Sequence, residues 1–230
     1  MQILVGSRTR LRFAPGLGFF GGLTRAHWMA SQPLSPRFSI AAVLREWFNA
    51  LVRAIAAPRM LYGWRDGQGR WLPHTRVSSS TRIESPDKLV IGDHVFIGPF
   101  NLVDASAGLS IGEGCQITSH CALLTHSSHQ ALRIAGQRYW GHADPPAYRR
   151  AATEIGPYCF IGAHSVVMPG SRIGRGVIVR AYSYVEGEVP DFAIVAGQPA
   201  VVVGDTREAD AAFLADHPQH QADYDAWARR

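Results

Sequence analysis

Between residues 91 and 185 the chain places an aliphatic side chain at every sixth position, and no other feature restricts its fold so tightly. Ile91, Ile97 and Val103 keep the interval. After a two-residue slip Ile111, Ile117 and Leu123 resume it, and after a long interruption Ile155, Ile161, Val167, Ile173, Val179 and Val185 hold it strictly. Glycine often follows the aliphatic residue, as at Gly92, Gly98, Gly112, Gly156, Gly162 and Gly174. Four positions after it comes a compact residue: Val95, Cys115, Cys121, Cys159, Ser165, Ser171, Val177 or Ser183. A period of six matches neither an α-helix nor an alternating strand. It is the period of a parallel β-helix, in which each repeat forms one side of a coil. In the triangular version three repeats close a turn and the aliphatic residue fills the interior. Twelve such positions predict four coils, with Val77 and Ile83 marking a frayed fifth. At ~4.8 Å between paired strands the prism stands roughly 19 Å tall.

The flanks have another character. Residues 1–60 contain eight arginines, no lysine and one acid, Glu46, a charge of +7 in a chain whose total is +5. This asymmetry describes a basic N-terminal arm on a mildly acidic body. Ser35-Pro36 opens and Pro58 closes a predicted helix, whose Ile40, Val43, Leu44, Trp47, Phe48, Leu51, Val52 and Ile55 form one apolar stripe. The stripe reads as core or oligomer interface, with peripheral membrane contact through residues 36–57 as the alternative, since Arg45 and Arg53 flank it. No window reaches the ~18 consecutive apolar residues of a membrane span, and a cytoplasmic location is expected. No nucleic-acid-binding signature accompanies the basic charge. All three cysteines occupy the compact slot, so packing accounts for them without disulfides. The expected organisation is a basic arm with an amphipathic helix at 1–60, a β-helix domain at 61–204 and a helical tail at 205–230.

The repeat marks a site by breaking. The aliphatic position expected at 129 is missing, and the series resumes only at Ile155, so residues 129–154 are expected to leave the prism as a loop. Long excursions from compact scaffolds are usually functional. At the base lies Thr125-His126-Ser127-Ser128-His129. His126 is the expected general base, because a neutral imidazole can take a hydroxyl proton during acyl transfer, an effect on the order of 10²–10⁴ in rate. His129 is the rival within the same motif, while His120 reads as structural. Asn101 stands where other repeats place Val, Cys or Ser. A buried amide must find partners, so Asn101 is either a corner hydrogen bonder or a substrate contact.

The run IGDHVFIGPFNLVD, LSIGEGCQI, LLTHSSHQALR and TEIGPYCFIGAHSVVMPGSRIGRGVIVRAYSYVEGEVPDFAIVAGQPA resembles the hexapeptide-repeat acetyltransferases. It is similar to the galactoside and maltose O-acetyltransferases and to those that modify polysaccharides. The resemblance spans about residues 77–204 and implies an all-β fold, a left-handed parallel β-helix. It also implies a homotrimer with sites between neighbours, acetyl-CoA as donor, a carbohydrate or glycolipid acceptor and no metal. It assigns His126 as catalytic base, puts Asn101 and Asp104 in the acceptor pocket, with His129 beside them, and sets Ala163 and Ala181 along the pantetheine groove. Basic residues expected after the last coil for coenzyme A phosphates are replaced by Gly187 and Val201, leaving Arg180 or Arg207 as substitutes. Two other readings compete. A γ-carbonic-anhydrase-like zinc enzyme would need convergent histidines, and His120 and His126 are spaced more widely than that class requires. A non-catalytic trimerisation scaffold would need neither the histidine-bearing excursion nor Asn101.

Overall fold

The computed structural model describes residues 40–229. The chain divides into two units at residues 55 and 56. In the first, helix α1 (Ile40–Ala56) has an exposed apolar arc that includes Leu44, Trp47, Phe48, Leu51 and Ile55. The start expected at Pro36 lies outside the described residues.

The second unit is a triangular prism of parallel strands. Its first face stacks Trp71–Ser78, Phe96–Ile97, Gln116–Ile117, Phe160–Ile161, Ile178–Val179 and Ala193–Gly197. The second stacks Arg82–Glu84, Leu102–Asp104, Ala122–Leu123, Val166–Val167 and Tyr184–Val185, and the third Leu89–Ile91, Leu109–Ile111, Thr153–Ile155, Arg172–Ile173 and Glu188–Val189. Register follows the sixfold period: Ile97 pairs with Ile117, Val103 with Leu123 and Ile111 with Ile155. At its two ends the first face takes an antiparallel partner, Met60–Arg65 and Ala200–Asp205.

The turn expected to be frayed is complete. Val77 is 3% exposed, Ile91 is fully buried and Ile83 packs against the same core, so the prism has five turns. Its interior holds the aliphatic series, joined by compact-slot residues such as Val95 and Val177 and by Leu89 and Leu109. The cysteines are buried as the compact slot predicts, and the thiols of Cys115 and Cys159 donate to the carbonyls of Gly156 (3.0 Å) and Gly174 (2.9 Å). The glycines after the aliphatic positions answer to stacking. A Cβ on Gly92 or Gly112 would lie 2.4 Å from the backbone nitrogen of Glu113 or Pro157 in the next turn.

The interruption is wider and more ordered than a loop over 129–154. It leaves after Leu123 and rejoins at Thr153, which pairs with Leu109. Within it, His126–Ser127 pairs antiparallel with Arg149–Arg150, followed in sequence by α2 (His129–Ala135) and a 3-10 turn (Gly136–Gly141). The C-terminal tail forms two helices, α3 (Thr206–Asp216) and α4 (Gln221–Ala228). Outward side chains differ in balance between the faces: Phe96, Phe160 and Ile178 beside Arg76 and Gln116 on the first, Leu102, Ala122, Val166 and Tyr184 beside Arg82 on the second, and Ser110, Glu154, Arg172 and Glu188 beside Val90 on the third.

Candidate active site

Val103 and Leu123 lie in register on adjacent turns, so the residues that follow them meet at the edge between second and third faces. There Asp104, 1% exposed, faces His126, whose side chain remains 35% exposed. Asp104 Oδ2 lies 2.7 Å from His126 Nδ1. The same oxygen accepts from the Thr125 amide and hydroxyl, each at 2.9 Å, while Oδ1 accepts from the Ser106 amide at 2.9 Å. Burial alone would push the Asp104 carboxyl up. The bonds from Ser106 and Thr125 outweigh that and hold it far below the usual carboxylate range. An ionised carboxylate only accepts, so Nδ1 must carry the proton and donate to Asp104. That tautomer leaves Nε2 with a free lone pair.

The environment fixes the ring further. Ser106 Oγ lies 3.1 Å from Nδ1, and Thr125 Oγ1, which donates to Asp104, accepts from the Ala107 amide at 3.0 Å. The Tyr148 ring stacks on His126 with centroids 5.9 Å apart and planes 10° apart, and the Arg150 guanidinium lies 4.3 Å over Tyr148. Arg150 in turn pairs with Asp144 at 2.6 Å. The arrangement can hold an imidazole in one tautomer and one orientation, on a side chain that stays partly exposed.

The other expected residues are distributed unevenly. Asn101 makes corner hydrogen bonds. It is 3% exposed, its amide nitrogen donates to the carbonyls of Gly98 (2.9 Å) and Thr118 (2.8 Å), and its oxygen accepts from the Cys121 amide (2.7 Å). All three of these bonds are made within the prism. Asp104 belongs beneath the imidazole rather than in an open pocket. His129 starts α2, exposed, with Nδ1 2.7 Å from Ser127 Oγ. Ala163 and Ala181 sit on successive turns at the edge between first and second faces, linked by the Tyr182 amide donating to the Ala163 carbonyl at 2.9 Å. A Cβ on Gly162 would lie 2.4 Å from the Ala181 nitrogen, so this corner is tightly stacked. Arg180 is exposed there, with no hydrogen-bond partner for its guanidinium among the described residues. Arg207 is engaged: its Nε donates to Asp205 Oδ1 at 3.0 Å and its guanidinium covers Phe192 at 4.9 Å.

Sequence reasoning missed Ser106, Thr125 and Tyr148 as supports of the imidazole. Register could have found the first two, since 104–106 and 124–126 follow stacked aliphatic positions, whereas Tyr148 returns from the far end of the excursion. The zinc reading fails on placement. His120 has φ 58° at the first–second edge, stacked on His164 and tilted against Phe100, whereas His126 stands on another edge.

Residues 152–187 match the family model described as bacterial transferase hexapeptide (six repeats). Relatives agree with the resemblance to acetyltransferases. WcaF of Escherichia coli strain K12, named as a colanic acid biosynthesis acetyltransferase, is 28% identical over 186 residues, covering 78% of this chain and 96% of that protein. WbbJ of the same strain, named as a lipopolysaccharide biosynthesis O-acetyl transferase, is 29% identical over 50% of this chain and 59% of its own length. The Mycobacterium tuberculosis protein Rv3034c, named as an acetyltransferase, is 28% identical over 59% of this chain, which spans 42% of that protein. Among solved structures, the Vibrio cholerae hexapeptide-repeat acetyltransferase VCA0836 aligns with TM-score 0.49 at 24% identity, covering 56% of this chain and 69% of that one.

Proposed function

We propose that this hexapeptide-repeat chain is an O-acetyltransferase that moves acetyl from acetyl-CoA to a hydroxyl of a carbohydrate acceptor in surface polysaccharide or glycolipid biosynthesis. The observation that carries the reading is the 2.7 Å bond from the Nδ1 of the partly exposed His126 to buried Asp104, which leaves the Nε2 lone pair available as a base. In this mechanism Nε2 takes the proton of the acceptor hydroxyl as its oxygen attacks the thioester carbonyl. The ionised Asp104 stabilises the imidazolium that forms. Collapse of the tetrahedral species expels the thiolate, and the imidazolium returns its proton to that sulfur. No metal enters these steps.

Coenzyme A supplies the activated acetyl as a thioester. The small residues Ala163 and Ala181 suit a slender pantetheine arm, and Arg180 is the available cation for its phosphates, better placed than Arg207, which Asp205 already engages. The repeat also supports left-handed winding. The larger apolar share of outward side chains on the first and second faces supports a homotrimer with the sites between subunits, the more polar third face remaining in solvent. No described helix is long and apolar enough to cross a membrane. The exposed arc of α1, flanked by Arg45 and Arg53, supports contact with an anionic lipid surface.

The test is release of free thiol from acetyl-CoA with a panel of oligosaccharide acceptors, using the wild type and His126→Ala. Acceptor-dependent thiol release lost in His126→Ala supports the reading. Equal release by the two proteins removes His126 from it, and none with any acceptor favours the scaffold.

A further inference from the structure

The first two turns of the prism also meet through a pair of imidazoles far from the acyl-transfer edge. Parallel register of Arg76 with Phe96 brings His74 level with His94, at the corner between third and first faces. Their exposed rings stack with centroids 4.6 Å apart and planes 11° apart. Asp93 lies beside them, oriented by three donors to its Oδ1: the His74 amide (3.0 Å), the His94 amide (2.9 Å) and the Thr75 hydroxyl (3.2 Å). Its Oδ2 has no hydrogen-bond partner among the described residues. One ligand atom from each of the three side chains lies within 4.8 Å of the other two, and this is the only such cluster among the described residues. The contrast with His120 and His164 is informative. Those rings stack almost as closely, 4.8 Å apart, yet no carboxylate joins them.

We propose that His74, Asp93 and His94 form a surface site for a divalent transition cation of the zinc type, which fastens the first turn of the prism to the second. Two imidazoles and one carboxylate make a borderline donor set, suited to zinc, cobalt or nickel, and too poor in oxygen for calcium or magnesium. Stacked rings direct their lone pairs side by side. Metal bonds of about 2.0–2.1 Å therefore require a modest turn of each ring towards Asp93, and both rings are exposed enough to turn without disturbing the core. Water completes the coordination. The cation is structural and takes no part in acetyl transfer.

The experiment uses the full chain stripped with a chelator, titrated with Zn²⁺ by calorimetry and with Co²⁺ by visible absorption. One equivalent per chain is expected to bind and to raise the thermal midpoint. His74→Gln should weaken binding at least tenfold and abolish the thermal gain, and so should His94→Asn, in which asparagine tolerates the φ of 59° at this corner. His164→Ala should leave affinity and thermal gain unchanged. The proposal is overturned if His74→Gln and His94→Asn, folded by circular dichroism, bind Zn²⁺ as the wild type does, if His164→Ala abolishes binding, or if the wild type binds no stoichiometric ion.

Discussion

Asn101 and Asp104 stand three positions apart, both buried, and both tie one turn of the prism to the next through backbone groups. The difference lies in what each has left over. Asn101 spends its amide on two carbonyls and one backbone N–H, and nothing points outward. Asp104 accepts from Thr125 and Ser106, and its ionised oxygen still has capacity for the imidazole. An amide at a corner closes a structure. A carboxylate at a corner, one turn before a histidine, closes it and also sets a proton in place.

Substitutions can break this comparison. The largest expected effect is that of His126→Ala, which removes the base and should lower kcat on the order of 10²–10⁴ while circular dichroism and thermal midpoint stay near wild type. Asp104→Asn should follow, with kcat down on the order of 10²–10⁴, because an amide NH₂ facing Nδ1 stabilises the tautomer whose Nε2 already carries the proton. The pH–rate profile distinguishes this from unfolding: a folded variant with wild-type kcat would end the pairing argument. Asn101→Ala should show the opposite pattern, losing about 2–4 kcal/mol of stability by denaturant titration because buried backbone partners are left unpaired. The folded fraction should keep its kcat, and a large fall in kcat at saturating stability would restore Asn101 as a substrate contact.

Acid sharpens the comparison further. The Asp104 carboxyl is held below its unfolded value of about 3.9, so the unfolded chain binds the proton more readily. Its stabilisation is therefore complete above pH ~4 and is lost as pH falls towards the folded value. Thermal midpoints measured from pH 7 down to 3 should decline less steeply in Asp104→Asn than in wild type, and no less steeply in Asn101→Ala. The smallest effect belongs to Tyr148→Leu. Loss of an aromatic stack worth about 0.5–1.5 kcal/mol should lower kcat roughly two- to tenfold without changing the acid profile.

Much of the prism was legible because its information is periodic. Six-residue spacing named the twelve aliphatic residues of the series, all of them buried, and the compact slot placed all three cysteines, whereas Leu89, Leu109 and Val195 lie outside both patterns. Two misjudgements came where local pattern ran out. The turn around Val77 and Ile83 looked frayed because its strand Trp71–Ser78 is eight residues long and hides the period. The excursion looked structureless because α2 is only seven residues and its base is held by pairing between His126–Ser127 and Arg149–Arg150, over twenty positions apart.

The chain by itself determined the coil, the corners and the identity of the histidine at the break, since an aliphatic residue every sixth position can be buried in only one way. Only the tertiary structure decided that Asp104 supports that histidine while Asn101 does not. Their types and spacing are compatible with either role, and the outcome depends on which side chains of the next turn come within hydrogen-bond reach. That is a property of register between turns some twenty residues apart, invisible in either segment alone.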